Sequence, residues 1–237
     1  MKSVYILKTG STFSSTRAVL NDFEDWISSK LDTNRLEVFT VDVTLGERLP
    51  ELKLCDGIIV TGSHSMVTDE EQWSLEAQKW LVEVVNEEIP LLAICYGHQL
   101  LAKALGGVSN YHPHGMEIGT VEVIPTEDAQ EDILFHDINT PFNAHTIHSQ
   151  SVLTLPLGAV RLAYNTHDVN HAFRVGRRAW GVQFHPEFDK AVMDSYIQEV
   201  FKEGAFDEQR KKSLLQESNE TPEATSILEK FAELVCE

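Results

Sequence analysis

"IPLLAICYGHQLLAKALGG", Ile89 to Gly107, sets the reading of the whole chain. Ile89 to Ile94 is short, apolar and introduced by Pro90, as expected for a buried strand of a parallel sheet. Leu100, Leu101, Ala104 and Leu105 then follow at helical spacing, and Gly106-Gly107 is a helix stop. Cys95 therefore falls where a strand turns into a helix. Ala93 and Gly97 supply the small residues that flank the nucleophile in a nucleophile elbow. A helix N-terminus also favours a thiolate through its unpaired N–H groups and dipole. Taken alone, the stretch also allows a cysteine that merely fills core space.

Upstream, strand and helix signals alternate. "VYIL" (Val4 to Leu7) reads as a first strand, and Phe23, Trp26, Ile27 and Leu31 as one face of a helix. "LEVFTVDV" and "DGIIVTGS" (Asp56 to Ser63) are further strands, the latter ending in a Gly-Ser turn. Trp73, Ala77, Trp80, Leu81, Val84 and Val85 mark the helix before the quoted stretch. Such alternation predicts βαβ units and a mainly parallel sheet. After Gly107, "IGTVEVI", "SVLTLP", "VRLAYN", "HAFRVG" and "AWGVQF" are short β-like runs. They predict an antiparallel or mixed extension of the same sheet. "DKAVMDSYIQEVFKEG" reads as a helix. The charged tail from about 205 onward is helical in pattern, with Thr221 before Pro222 as an N-cap. Ile227, Leu228, Phe231, Leu234 and Val235 form its apolar face, and "LQESNETPEA" reads as a mobile surface connection.

The chain of 237 residues carries a formal charge of −18, which argues against nucleic acid or an anionic membrane as a partner. Cys55, Cys95 and Cys236 are too few and too far apart for a disulfide framework or a zinc site, so a reducing cytoplasm is the expected home. Cys55 reads as core and Cys236 as a bystander. The opening apolar run is too short for a signal peptide, and no stretch is long enough for a membrane helix. His112 with His114, His145 with His148, and His167 with His171 lie in strand or loop patterns. No carboxylate set completes a ligand shell in the sequence, so no metal site is expected.

A reactive thiol needs a base, and the base needs an orienting group. "GVQFHPEF", Gly181 to Phe188, offers both. His185 and Glu187 stand two apart at a strand end, so their side chains leave on one side, and Pro186 stops the strand between them. A surface His and Glu in a turn is the competing reading of this motif alone.

Together the motifs tip the balance. "CYGHQLLAKALGG", with "GVQFHPEF" ninety positions later, "DGIIVTGS" before and "NYHPHGMEIG" between, resembles the class I glutamine amidotransferases of the Cys-His-Glu triad type. Within that family the chain is most similar to free-standing proteins like the amidotransferase domain of GMP synthase. The resemblance implies a flavodoxin-like, three-layer α/β sandwich around a mainly parallel, mixed sheet. It implies a catalytic domain over 1–203, with 204–237 as a helical extension packed on it. It also assigns roles: Cys95 as nucleophile, His185 as base and acid, Glu187 as orienting carboxylate. The Tyr96 N–H and a donor at Gly62 or Ser63 would form the oxyanion hole, and Gln99 would contact bound glutamine. The implied reaction releases glutamate and ammonia through a γ-glutamyl thioester, with no metal or organic cofactor.

Two departures from the family pattern matter. Ala93 stands where Gly is frequent, a change expected to be tolerated. His148-Ser149-Gln150 stands where relatives commonly read His-Gly-Asp, near the substrate's amino-acid end. A neutral amide there puts selectivity for free glutamine in question. His148 reads either as a substrate contact or as a structural turn residue. No P-loop occurs, and the tail after Gly204 is too short for a nucleotide-binding domain. The expectation is therefore a glutaminase serving a separate synthetase subunit. The alternatives are a free-standing γ-glutamyl peptidase and, third, a non-catalytic regulatory module.

Overall fold

The structure, a computed structural model, describes residues 1–138, 140–202 and 208–237. The first half alternates as the sequence predicts. Strands β1 (Lys2–Lys8), β2 (Leu36–Asp42), β3 (Gly57–Val60) and β4 (Leu91–Ile94) are interleaved with helices α1 (Ser14–Leu20), α2 (Phe23–Ser28) and α3 (Gln72–Asn86), and α4 (Tyr96–Ala104) follows. The second half is β-rich: β5 (Val108–Tyr111), β6 (Glu117–Pro125), β7 (Phe142–His148), β8 (Gln150–Thr154), β9 (Val160–Tyr164), β10 (Ala172–Val175) and β11 (Ala179–Val182). Helices α5 (Lys190–Lys202), α6 (Glu208–Glu217) and α7 (Pro222–Cys236) complete the chain.

Among the described residues nine strands make one sheet in the order β2-β1-β3-β4-β11-β10-β9-β6-β7, and β5 pairs with β8 separately. From β2 through β11 neighbours run parallel; from β11 onward every pairing is antiparallel. This is the mainly parallel, mixed sheet expected. The central strand β4 is buried on both faces because helices cover both. Leu91 and Ala93 pack with residues of α3 and α4, whereas Leu92 and Ile94 pack with the face of α7. Successive side chains point to opposite faces of a strand, so four residues serve two cores.

The tail contributes to the interior. Ile227, Leu228, Phe231, Leu234 and Val235 of α7 are all buried among β1, β4 and β7 residues. A Cβ added at Gly57 would stand 2.5 Å from Val235 Cγ2, so α7 presses directly on β3. The expected boundary between 203 and 204 lies outside the described residues. Thr221 does sit at the N-cap with Pro222 after it, but its hydroxyl makes no capping bond. The connection expected to be mobile is short, 218–221, and both Ser218 and Thr221 are buried. Among the described residues no helix is long and apolar enough to cross a membrane.

Other local expectations shift. The helix expected from Phe23 to Leu31 stops at Ser28, and a capping box of Asp22 and Asp25 fixes its start. Helix α1, with Thr16 as its one buried residue, had no apolar periodicity to announce it.

Gly97 shows what holds the elbow against the sheet. A Cβ there would lie 2.9 Å from both the Val60 Cβ and the Val60 carbonyl oxygen. Helix propensity favours alanine over glycine by about 1 kcal/mol. Overpacking against backbone costs about 1–3 kcal/mol. Gly97→Ala is therefore expected to lower the urea midpoint, and an unchanged or raised midpoint would contradict this packing.

Candidate active site

Cys95 holds a backbone conformation that side chains rarely adopt, with φ 50° and ψ −100°. It leaves β4 and caps the start of α4. Its N–H donates to the Val182 carbonyl of β11 at 2.8 Å, and its carbonyl accepts from the Gln99 N–H at 3.1 Å. The residue is thus clamped between a strand and a helix, which sustains the strain. Tyr96 is the first helical residue, so its N–H lies outside the helix ladder. Ala93 is fully buried in the core, so its methyl group is accommodated.

β11 pairs with β4 in parallel, Val182 opposite Ile94. One residue beyond Ile94 lies Cys95, and three beyond Val182 lies His185. Both therefore emerge at the carboxyl ends of adjacent parallel strands, where open α/β sheets place their ligands. His185 Nδ1 and Glu187 Oε1 are 2.7 Å apart, and both side chains are buried. The ring stacks on Phe188 at 4.1 Å between centroids, with Phe23 at 6.1 Å. Burial opposes a charged imidazole here, but the charges of Glu187 and Cys95 outweigh it and push His185 up to about 10. The other ring nitrogen, Nε2, is buried and, among the described residues, pairs with no structural group; the side chain it interacts with is Cys95.

The far edge strand β7 comes back to this point. Its His145 carbonyl accepts the His185 N–H at 2.8 Å, and its Ile147 carbonyl faces Cys95 Sγ at 3.6 Å. Burial, then the neighbouring His185 charge, pushes His145 itself down to about 4.

Cys95 and His185 open into a cavity of about 430 Å³. Ser63, Tyr96, Gln99, His148, Ser149 and Gln150 line it as well. Glu187 stands behind His185. Gly62 does not line the cavity: a Cβ there would be 2.8 Å from His185 Cε1, and its carbonyl accepts from the Thr9 hydroxyl at 3.1 Å. The polar end is strongly tied. Gln99 Nε2 donates to the Gln150 carbonyl at 2.6 Å and to Gln183 Oε1 at 3.0 Å. Gln150 Nε2 donates to Thr68 Oγ1 at 2.6 Å, while Gln150 Oε1 is buried without a partner among the described residues.

His148 is anchored from behind by a residue the sequence reading did not single out. Its Nε2 lies 3.0 Å from Glu117 Oε2, and His171 Nε2 lies 2.9 Å from the same oxygen. Asn165 Nδ2 donates to the other oxygen, Oε1, at 2.7 Å. Burial works against the Glu117 carboxylate, but hydrogen bonds from both histidines hold it well below the usual carboxylate range. The sequence placed no carboxylate with the histidines, whereas the fold brings Glu117 to His148 and His171, with three possible ligand atoms within 4.8 Å of one another. Their short mutual hydrogen bonds satisfy them without an ion. Glu117 sits within "NYHPHGMEIG", but only the pairing of β6 with β7, Glu117 opposite His148, brings it to the site.

These buried groups make stability depend on acidity. Burial pushes His98 down to about 3 and His145 to about 4, from an ordinary value of 6.5. Between those values and 6.5 the unfolded chain binds the extra protons, so stability falls as pH falls below 6.5. Lost ionisation of Glu117 adds to this below the carboxylate range. His185, held far above its ordinary value, acts in the opposite sense over this window. With two depressed rings against one raised, the urea midpoint at pH 5 is expected to lie below that at pH 7; an equal or higher midpoint would contradict neutral burial of both His98 and His145.

Residues 20–203 match the sequence model of the glutamine amidotransferase class-I family. The chain is 32% identical over 158 residues to a glutamine-hydrolysing GMP synthase of Prochlorococcus marinus, a match covering 64% of this chain and 28% of that protein. It is 26% identical over 152 residues to gamma-glutamyl peptidase 5 of Arabidopsis thaliana, covering 63% of this chain and 61% of the peptidase. The crystal structure of a glutamine amidotransferase from Thermotoga maritima superposes with a TM-score of 0.78 at 21% identity, covering 100% of this chain and 98% of that one. This last likeness speaks to the fold.

Proposed function

Because the chain belongs to the glutamine amidotransferase class-I family, we propose that it is a thiol hydrolase of γ-glutamyl amides, with Cys95, His185 and Glu187 as its triad. One observation carries this reading. The thiol and a Glu-bonded imidazole leave adjacent parallel strands into a single cavity, with Nδ1 to Glu187 at 2.7 Å.

The chemistry follows from those positions. The Cys95 thiolate attacks the γ-carbonyl carbon, and the carbonyl π electrons move to oxygen. The Tyr96 N–H, with an N–H from the turn at Ser63, would stabilise that oxyanion. The tetrahedral intermediate collapses, the C–N bond breaks, and His185 delivers a proton from Nε2 to the departing nitrogen. His185 then takes a proton from water, whose oxygen attacks the thioester and releases glutamate and the Cys95 thiolate. Glu187 holds the imidazole in orientation and balances its charge throughout.

Glutamine is the first substrate to consider, with ammonia as the second product. The chain spans only about a quarter of the GMP synthase it matches. Transfer of ammonia to a separate synthetase subunit is therefore part of the proposal, as is the treatment of 204–237 as an extension of a catalytic unit over 1–203. A γ-glutamyl peptidase is the second reading, favoured by one feature: Gln150 presents a neutral amide where a carboxylate would grip an α-ammonium group.

The experiment is glutamate release by the purified chain from glutamine and from a γ-glutamyl dipeptide at equal concentration, with Cys95→Ala as blank. Preference for glutamine supports the glutaminase; preference for the dipeptide supports the peptidase. Release from neither above the blank would refute hydrolysis by the isolated chain.

A further inference from the structure

We propose that one end of the cavity is a binding site for an apolar or aromatic group carried on the amide nitrogen of the γ-glutamyl substrate. This rests on the thiol-hydrolase reading above and goes on to name the substrate class.

The cavity lining holds two chemically distinct groups, with Met66, Met116 and Ile147 among the rest. In one, Gln99 and Gln150 are tied to each other, with Ser149 beside Gln150 in sequence. In the other, three rings meet: Phe13 and His64 at 4.4 Å between centroids, Phe13 and Tyr196 at 5.2 Å, His64 and Tyr196 at 5.9 Å. Val200 extends this wall. Two of the rings are held by groups outside the cavity. The Thr12 hydroxyl donates to the Tyr196 oxygen at 2.8 Å, and the Thr12 N–H donates to Asp22 at 2.8 Å, which pins the chain entering Phe13. A preformed site loses less entropy on binding.

The aromatic end lies on the side of the general acid. Phe188 stacks on His185 at 4.1 Å and contacts Tyr196 at 5.0 Å, and Phe23 faces His185 as well. The amide nitrogen must approach His185 to receive its proton. A substituent on that nitrogen therefore projects toward Phe13, His64 and Tyr196, while the glutamyl head points to Gln99 and Gln150.

Ammonia makes no use of such a wall, because it has no apolar surface to bury. A volume of about 430 Å³ falls in the range of pockets that enclose drug-sized ligands. None of the described lining residues is Asp, Glu, Lys or Arg, and around Phe13, Tyr196 and Val200 no carboxylate, ammonium or guanidinium group lines the cavity to pair with a charged substituent. What the wall can recognise is hydrophobic area and a ring face. The substrate class is thus a γ-glutamyl conjugate of an apolar or aromatic amine, cleaved to glutamate and that amine.

The test is calorimetric titration of the Cys95→Ala protein with γ-glutamyl phenethylamide and γ-glutamyl methylamide, whose amines are of comparable basicity. The phenethylamide is expected to bind at least ten-fold more tightly. Phe13→Leu in the same background, with folding checked by circular dichroism, is expected to shrink that ratio at least three-fold. Equal affinities, or a ratio that Phe13→Leu leaves untouched, overturn the proposal. Turnover by the chain with Cys95 intact is read separately. Tighter binding of the phenethylamide without glutamate release from either amide would sink the hydrolase reading and leave the aromatic site standing.

Discussion

Cys95→Ala is expected to reduce glutamate release to background, a loss of about 10⁶-fold on the scale of nucleophile removal in other triads, while the protein stays folded. The loss is total in mechanism because the thioester cannot form. The fold survives because only the sulfur is lost: Cys95 is buried with the core, but its sulfur borders the cavity. Its Sγ lies beside the cavity with the Ile147 carbonyl 3.6 Å away, a weak contact for a thiol. Alanine keeps the Cβ and therefore the strained φ of 50°. Glycine at the same position would relieve that strain, worth about 1–3 kcal/mol for a residue held in a sparsely populated region. Cys95→Gly is thus expected to be equally inactive yet to unfold at higher urea than Cys95→Ala. The pair of variants separates chemistry from backbone strain. Residual turnover in either would remove Cys95 from the reaction, and a lower midpoint for Cys95→Gly would contradict the strain.

His185→Ala is expected to cost about 10⁶-fold in kcat, and Glu187→Gln about 10⁴-fold, by the same scaling. The base must both accept and deliver the proton, so nothing replaces it. The carboxylate acts through the ring, 2.7 Å from Nδ1, and glutamine can still accept a hydrogen bond there. The substitution removes the charge that, with Cys95, holds His185 far above its ordinary value. Steady-state rates across pH check this: Glu187→Gln should shift the profile as well as lower it, whereas a merely structural role would lower it unshifted. Equal losses in the two variants would assign Glu187 more than orientation and charge.

How much of this was legible beforehand differs by element. The strand before Cys95 is apolar because two helical layers bury it, and that same burial writes the pattern into the sequence. The Pro between His185 and Glu187 and the small residues flanking Cys95 are local requirements of sharp turns, so they too appear as short motifs. Helix α1 was missed because it buries so little that it needs no apolar stripe. The tail connection reads as polar surface, and Asn219 and Glu220 are exposed, but its composition gives no hint that Ser218 and Thr221 are buried.

The sequence by itself determined the parallel core and the strand-to-helix turn at Cys95, because each is encoded in contacts between near neighbours along the chain; the residues proposed as a triad came from the resemblance carried by two motifs read together. The rest depends on contacts between residues far apart in sequence. The register of β11 on β4 brings His185 beside Cys95, and the return of β7 sets two backbone carbonyls against them. The β6–β7 pairing buries Glu117 between His148 and His171 and anchors His148 at the cavity wall. The aromatic end of the cavity joins Phe13, His64 and Tyr196 from three distant segments. Long-range pairing leaves no periodicity in one chain, since what a side chain meets there depends on where another segment is delivered.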